Sequence, residues 1–179
     1  MAKIYTKTGD KGDTGIGDGS RMRKDSLRVA TIGEIDELSS LLGVCKAINE
    51  RDFNDDSVAS FLDDIQKDLF FLGADLTLFE SKEDRVDEAS AKKIETWIDA
   101  YAKELPTTKK FVLLGGNLLG AYLHLARTVC RRAERSLVTL DNEESVHENY
   151  LMYINRLSDL LFVMARYVNL KEGGKETVL

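Results

Sequence analysis

Pro106 is the only proline among 179 residues, and this constrains the fold more than any other feature of the chain. Proline lacks an amide hydrogen and breaks helix interiors, so its scarcity leaves room for long uninterrupted helices. The apolar residues use that room, recurring at three- and four-residue steps. A first helix begins at Asp25 or Ser26, either of which can cap it, and runs to about Glu50 with Leu38, Leu41, Leu42 and Cys45 on one face. A second runs from about Ser57 to Leu78 on the stripe Val58, Phe61, Ile65, Leu69, Leu72 and Leu76. A third, weaker pattern spans about Glu88 to Leu105, after a charged connector from Glu80 to Asp87, and Pro106 ends it. A short apolar stretch, Phe111 to Leu114, leads to the pair Gly115-Gly116. Asn117 then caps a fourth helix reaching about Leu140, and a fifth runs from about His147 to Lys171. The expected fold is all-α: one domain, an antiparallel five-helix bundle with short connections. An irregular glycine-rich segment over residues 1–24 precedes it, neither helix nor regular strand, and residues 172–179 read as a flexible tail.

Composition excludes some functions. The net charge of −6 argues against a nucleic-acid binder, which needs a basic surface. No stretch approaches the apolar length of a membrane span, and Met1 to Tyr5 opens no signal-peptide pattern, so a cytoplasmic protein is expected. Cys45 and Cys130 stand in helical apolar patterns without CxxC spacing and read as small buried hydrophobes. His124 and His147 have no ligand spacing around them to suggest zinc. No Ser–His–Asp set can be argued, and His124 reads as helix packing.

Three segments can carry chemistry. The leader from Thr6 to Ser20 holds five glycines. In Thr6-Lys7-Thr8-Gly9-Asp10-Lys11-Gly12-Asp13-Thr14-Gly15, glycine lets backbone amides approach an anion, and the lysines add charge. It is neither a Walker A loop nor a dinucleotide fingerprint, and a flexible polar terminus is the competing reading. In the fourth helix, Leu119, Leu123, Ala126, Cys130 and Leu137 share a face, while Leu125 and Val129 lie on roughly the opposite side. Arg127, Arg131 and Glu134 stack between these faces. Four arginines within nine residues suit a polyanion, since the guanidinium fork matches phosphate oxygens; a solvated stripe is the alternative. In the fifth helix, Asn155, Asp159, Phe162 and Arg166 form a stripe that either reads a base or ribose or bridges helices. Asp36, beside Ile32 and Ile35, needs a cationic partner, and Arg127 is a natural one.

Taken together, these segments resemble the PduO-type ATP:cob(I)alamin adenosyltransferases over roughly residues 3 to 170. Three blocks carry the resemblance: Ile4 to Gly12 continuing through Lys24-Asp25 and Gly33-Glu34-Ile35-Asp36-Glu37-Leu38; Gly115-Gly116 with His124 to Arg135; and Ile154-Asn155-Arg156-Leu157-Ser158-Asp159. Ser39, Leu114 and Ile32 depart from the asparagine, proline and aromatic residue common in that family. The resemblance implies transfer of the 5′-deoxyadenosyl group of ATP to the cobalt of a reduced cobalamin. It implies a homotrimer with sites between subunits, Mg²⁺ on the triphosphate without a dedicated protein cage, and an electron-donating reductase as partner. It places ATP against Thr6, Lys7, Thr8, Gly9, Thr14, Gly15, Lys24, Arg131, Arg132, Ala133, Glu134, Arg135 and Asn155. It pairs Asp36 with Arg127 across the interface and makes Phe111 the residue that displaces the lower axial ligand. Lys24, Arg131, Phe111, Asp36 and Arg127 are thus the expected catalytic set. A non-catalytic carrier or regulator of ATP and corrinoid on the same bundle is the alternative.

Overall fold

The computed structural model describes residues 4–78, 85–107, 110–173, 177 and 179. Five long helices carry the fold: α1 (Leu27–Ile48), α2 (Asp56–Leu76), α3 (Glu88–Ala102), α4 (Leu118–Glu143) and α5 (Glu148–Lys171). Each of the first four starts on a polar side chain that accepts an otherwise orphaned backbone amide. Ser26 accepts from Val29, Asp55 from Ser57 and Val58, Asp87 from Ser90, and Asn117 from Gly120. Ser26, rather than Asp25, is therefore the first cap. After α1 the chain makes one wider helical turn, Asn49–Phe53, which Asn54 closes at φ 52°; asparagine tolerates this left-handed conformation better than most residues. Helix α3 ends three residues before the expected Leu105, and α4 runs three beyond Leu140. Most of the connector expected at 80–87 lies outside the described residues.

The leader differs from expectation. Residues Asp13–Gly15 (β1) and Arg21–Arg23 (β2) pair antiparallel, Asp13 opposite Arg23 and Gly15 opposite Arg21. Three residues per strand are too few for a period-two pattern to register, and the glycines mask what alternation there is. The hairpin is seated on the bundle: the Gly17 amide donates to the Thr77 carbonyl at 3.1 Å, just past the end of α2.

Within the bundle, neighbouring helices follow the order α2, α1, α4, α5, α3. Side chains close it across the centre, where Tyr153 of α5 donates to Asp68 of α2 at 3.0 Å and Tyr150 to Asp75 at 2.8 Å. All six residues of the α2 stripe are buried, as are Leu38, Leu42 and Cys45 of α1, whereas Leu41 is only partly covered. Buried Arg28 fastens one end: its Nε donates to Glu144 at 2.6 Å and a terminal nitrogen to the Leu76 carbonyl at 2.8 Å. Arg28 thereby joins the start of α1 to the ends of α2 and α4. Among the described residues, no helix is long and apolar enough to cross a membrane.

Candidate active site

Arg127 and Arg131 stand one turn apart on α4 and open onto a recess against α5 of about 330 Å³, lined also by Ser158, Asp159, Phe162 and Val163. Phe162 is its apolar floor. The Arg127 guanidinium lies 6.0 Å from the ring centroid, and Arg166, behind it, 5.8 Å, both within cation–π range. The Arg127 Nε is buried and has no hydrogen-bond partner among the described residues. Burial, and secondarily the neighbouring Arg131 charge, hold the Arg127 pKa below its usual range. A cation in this position is costly unless an anion answers it from outside the chain. Arg131 is half exposed, and its closest carboxylate, that of Glu134, is 3.9 Å away.

The arginine run divides. Arg132 turns toward α1, where it pairs with Glu37 and lies 3.9 Å from Glu34. Arg132 and Arg135 line a different groove, between α1 and α4, with Leu41, Val44 and Leu125. Ala133 is fully buried in the core, so its methyl group faces neither recess nor groove. Of the two faces expected to be apolar, one is core; on the other, Val129 is buried while Leu125 is 49% exposed. Asn155 sits beside the recess with both ends of its amide engaged, donating to Glu134 and accepting from Arg156, each at 2.8 Å.

Asp36 is exposed on the far side of α1. It lies in a groove of about 450 Å³ between α1 and α2, whose walls include Val29, Ile32, Phe70 and Gly73. Groove and recess are separate within one chain, so Asp36 and Arg127 do not meet there.

The leader holds its expected residues in one compact turn structure. Thr6 and Thr8 share a hydrogen bond between their hydroxyls at 2.9 Å, and Lys7 between them takes φ 59°. Arg21 donates to the Thr8 carbonyl at 2.7 Å. A Cβ built on Gly9 would sit 3.1 Å from the Lys24 ammonium, so the lysine covers that glycine directly. Thr14 and Gly15 are paired in β1. The side-chain hydrogen bonds described for the leader all fall within residues 6–25, so the leader and the Arg127–Arg131 recess are not joined inside one chain. Phe111 is 84% exposed, and Leu113, Leu114 and Leu118 are each about half exposed. Backbone bonds from Leu113 to Thr177 and from Leu179 to Phe111, at 2.8 and 2.9 Å, lay the chain end beside this segment.

Sequence reasoning missed Ser158 and Val163 in the recess, the Gly17 anchor, and buried Asn169 behind the Gly115-Gly116 turn, where it meets the helix cap Asn117. Asn169 did leave a signal, being an amide closing the apolar run Val163 to Val168, interrupted only by Arg166. Among the described residues, no group of three or more histidine, cysteine or acidic side chains is placed to hold a metal ion.

Comparison with known proteins bears directly on this geometry. The family model described as cobalamin adenosyltransferase matches residues 4–168. The corrinoid adenosyltransferase of Bacillus subtilis (strain 168) is 47% identical over 173 residues, covering 96% of this chain and 89% of the relative. The cobalamin adenosyltransferase of Cupriavidus metallidurans is 43% identical over 178 residues, covering 99% and 94%. Among solved structures, a phenylalanine-to-histidine variant of the PduO-type ATP:corrinoid adenosyltransferase from Lactobacillus reuteri, complexed with cobalamin and ATP, superposes with a TM-score of 0.92 at 38% identity, covering 99% of this chain and 96% of that one. An arginine-to-lysine variant of the same enzyme, complexed with ATP, gives a TM-score of 0.91 at 39% identity, covering 98% and 99%. The helices, the arginine-bearing recess and the glycine-rich leader accordingly belong to a member of the cobalamin adenosyltransferase family.

Proposed function

We propose that this chain transfers the 5′-deoxyadenosyl group of ATP to the cobalt of a reduced corrinoid, giving adenosylcobalamin and triphosphate. The carrying observation is the buried, unanswered guanidinium edge of Arg127 one turn from half-exposed Arg131, above an apolar floor. Cobalt(I) supplies the electron pair that attacks C5′. The C5′–O bond breaks and the triphosphate leaves with its electrons. No proton moves in this step, so the protein needs no general base; its work is alignment and stabilisation of developing charge. Arg131, Lys7 and Lys24 are of the right type to meet the triphosphate. Asp159 is the one carboxylate lining the recess, too few for a protein cage, so Mg²⁺ would be held chiefly by phosphate oxygens. Glu134, 3.9 Å from Arg131, and Asn155, bonded to Glu134, are of the right type to orient the nucleoside.

The site is shared between copies of the chain. A groove bearing exposed Asp36 on α1–α2 and a recess bearing unanswered Arg127 on α4–α5 are complementary in charge and lie on different faces. A head-to-tail contact of that kind makes a ring where its rotation closes, and the family resemblance makes that ring a homotrimer in which Asp36 of one copy pairs with Arg127 of the next. Arg132 and Arg135 line the half-apolar α1–α4 groove, where they face a neighbouring copy or the phosphates it brings. Phe111 is an aromatic side chain with almost no cover of its own, suited to fill the space left by the corrinoid's lower ligand. Loss of that ligand lowers the cobalt(II) orbital that accepts an electron, which eases reduction by a cytoplasmic reductase.

The test mixes protein, ATP, Mg²⁺ and chemically reduced cobalamin and follows a light-sensitive alkylcobalamin spectrum together with triphosphate release. A carrier would bind both substrates and release nothing. Arg131→Ala should lose about a hundredfold in turnover, the usual cost of one transition-state contact, while remaining folded and assembled. Near-normal turnover in that variant would remove the arginine assignment.

A further inference from the structure

Asn169, in the last turn of α5, is 2% exposed, and both ends of its amide are committed. Its Oδ1 accepts from the Asn117 backbone amide at 2.9 Å, and its Nδ2 donates to the Gly115 carbonyl at 2.8 Å. These partners fix which way the amide points, because a flip would set NH₂ against N–H and oxygen against oxygen. Asn117 reciprocates, donating from Nδ2 to the Val168 carbonyl at 2.9 Å and accepting at Oδ1 from Gly120 at 2.6 Å. Glycines make the space. A Cβ on Gly116 or on Gly120 would come within 2.2 Å of Asn169 Oδ1, and Gly116 also takes φ +112°, a conformation side chains rarely adopt. One buried amide thus grips both sides of the Gly116 turn, and that turn sets the direction in which residues 111–114 leave α4. Those residues include Phe111, 84% exposed, with Leu113 and Leu114 each 51% exposed. Besides that root, the segment's described bonds are the two backbone ones that lay Thr177 and Leu179 beside Leu113 and Phe111; these pair main chain only, and the direction in which the segment leaves α4 is set at the root of the turn.

We infer that Asn169 is a positioning residue for the lower face of the corrinoid, acting through the Gly115-Gly116 turn on Phe111. This rests on the role proposed above for Phe111. Asn169 bonds to Asn117 and Gly115, neither of them placed against ATP, so its loss should spare nucleotide binding and damage the cobalt step. A merely structural cap would give the opposite pattern, loosening the bundle and weakening every ligand together.

The experiment compares wild type, Asn169→Ser, Asn169→Asp, Phe111→Ala and the double variant Phe111→Ala/Asn169→Ser. Asn169→Asp keeps the shape but turns an oxygen toward the Gly115 carbonyl. Asn169→Ser is too short to hold both groups, yet brings no clash or charge. Three quantities are read: ATP Kd by calorimetry, the fraction of cob(II)alamin that loses its lower ligand with ATP present (by optical and EPR spectra), and kcat. In both single Asn169 variants the ligand-free fraction and kcat should fall about tenfold or more, as expected for small misplacements at a reacting centre, with ATP Kd within about twofold. The double variant should be no worse than Phe111→Ala alone, because residues acting as a unit are not additive. A wild-type ligand-free fraction in Asn169→Ser, losses that multiply in the double variant, or an ATP Kd that worsens as much as kcat would each overturn the inference. A wild-type Phe111→Ala would bring down the Phe111 reading and this one together, whereas an impaired Phe111→Ala beside an intact Asn169→Ser defeats only the positioning role.

Discussion

Asp68 carries a carboxyl group whose pKa burial raises above the ordinary aspartate value, against the opposing pull of the Tyr153 hydroxyl that donates to it. A raised native pKa means that the folded state favours the protonated form. Its contribution is therefore fully present below the unfolded pKa of about 4 and is lost as pH rises through the folded value. Asp68→Asn mimics the protonated form and still accepts from Tyr153. Its thermal midpoint relative to wild type should climb as pH rises from about 4 toward neutrality; a difference flat across that window would show that Asp68 does not titrate differently on folding. The same contrast of burial and exposure marks what individual residues disclosed in sequence. The α2 stripe was legible because every third or fourth residue is apolar and all of them are buried. The fate of the arginine run was not. Helical arithmetic places Arg127 and Arg131 on one line, but it cannot say that Glu34 and Glu37 of α1 would draw Arg132 to the other side. Nor does it separate Leu125, exposed, from Val129, buried, since burial depends on which neighbour helix stands there.

Elements were read more reliably than their junctions. All five helices lie where periodicity and caps put them, because each is long enough to repeat its pattern several times. The β1–β2 hairpin was missed because three-residue strands repeat nothing, and the Asn49–Phe53 turn, where α1 was expected to end near Glu50, was not foreseen because its distinguishing feature is the conformation of Asn54, not composition. The hairpin's seat on α2 carries a prediction of its own. A Cβ on Gly17 would stand 2.2 Å from Thr77 Oγ1, so Gly17→Ala must push the hairpin away from the helix end, and Thr77 Oγ1 is itself tied to the Ala74 carbonyl at 2.6 Å. If this seat aims Lys7, Thr8 and Lys24 at the nucleotide, Gly17→Ala should raise the ATP Kd about fivefold or more, the scale of a modest overpacking penalty. The midpoint of unfolding should hardly move, because the bundle core is untouched. Removing the obstructing oxygen in Gly17→Ala/Thr77→Ala should recover most of the affinity. Equal weakness in the single and double variants would mean that the seat does not aim the leader.

At the scale of the whole molecule, the two parts of the proposed site do not meet among the described residues of one chain: a leader anchored at the end of α2, and a cationic recess between α4 and α5. Exposed Val44 and Leu125 line one groove between α1 and α4, with Leu41 and Val129. An exposed apolar groove is an ordinary mark of a surface another protein covers, and Leu125→Asp should therefore lower the mass seen in light scattering to that of a single chain. A sharper consequence follows from sharing. If each site takes its leader from one copy and its arginines from the next, Lys24→Ala disables a copy's leader and Arg131→Ala disables its recess. Each variant alone has no intact site. In trimers assembled from equal amounts of both, an interface is whole only where an intact leader faces an intact recess. Random pairing makes this about one interface in four, because each of the two facing copies must be of the right kind. Co-assembled variants should thus regain about a quarter of wild-type turnover, while the same proteins mixed without subunit exchange regain nothing. No recovery in co-assembled trimers would mean that leader and arginines serve the same copy's site, and the head-to-tail arrangement of Asp36 and Arg127 would have to be abandoned with it.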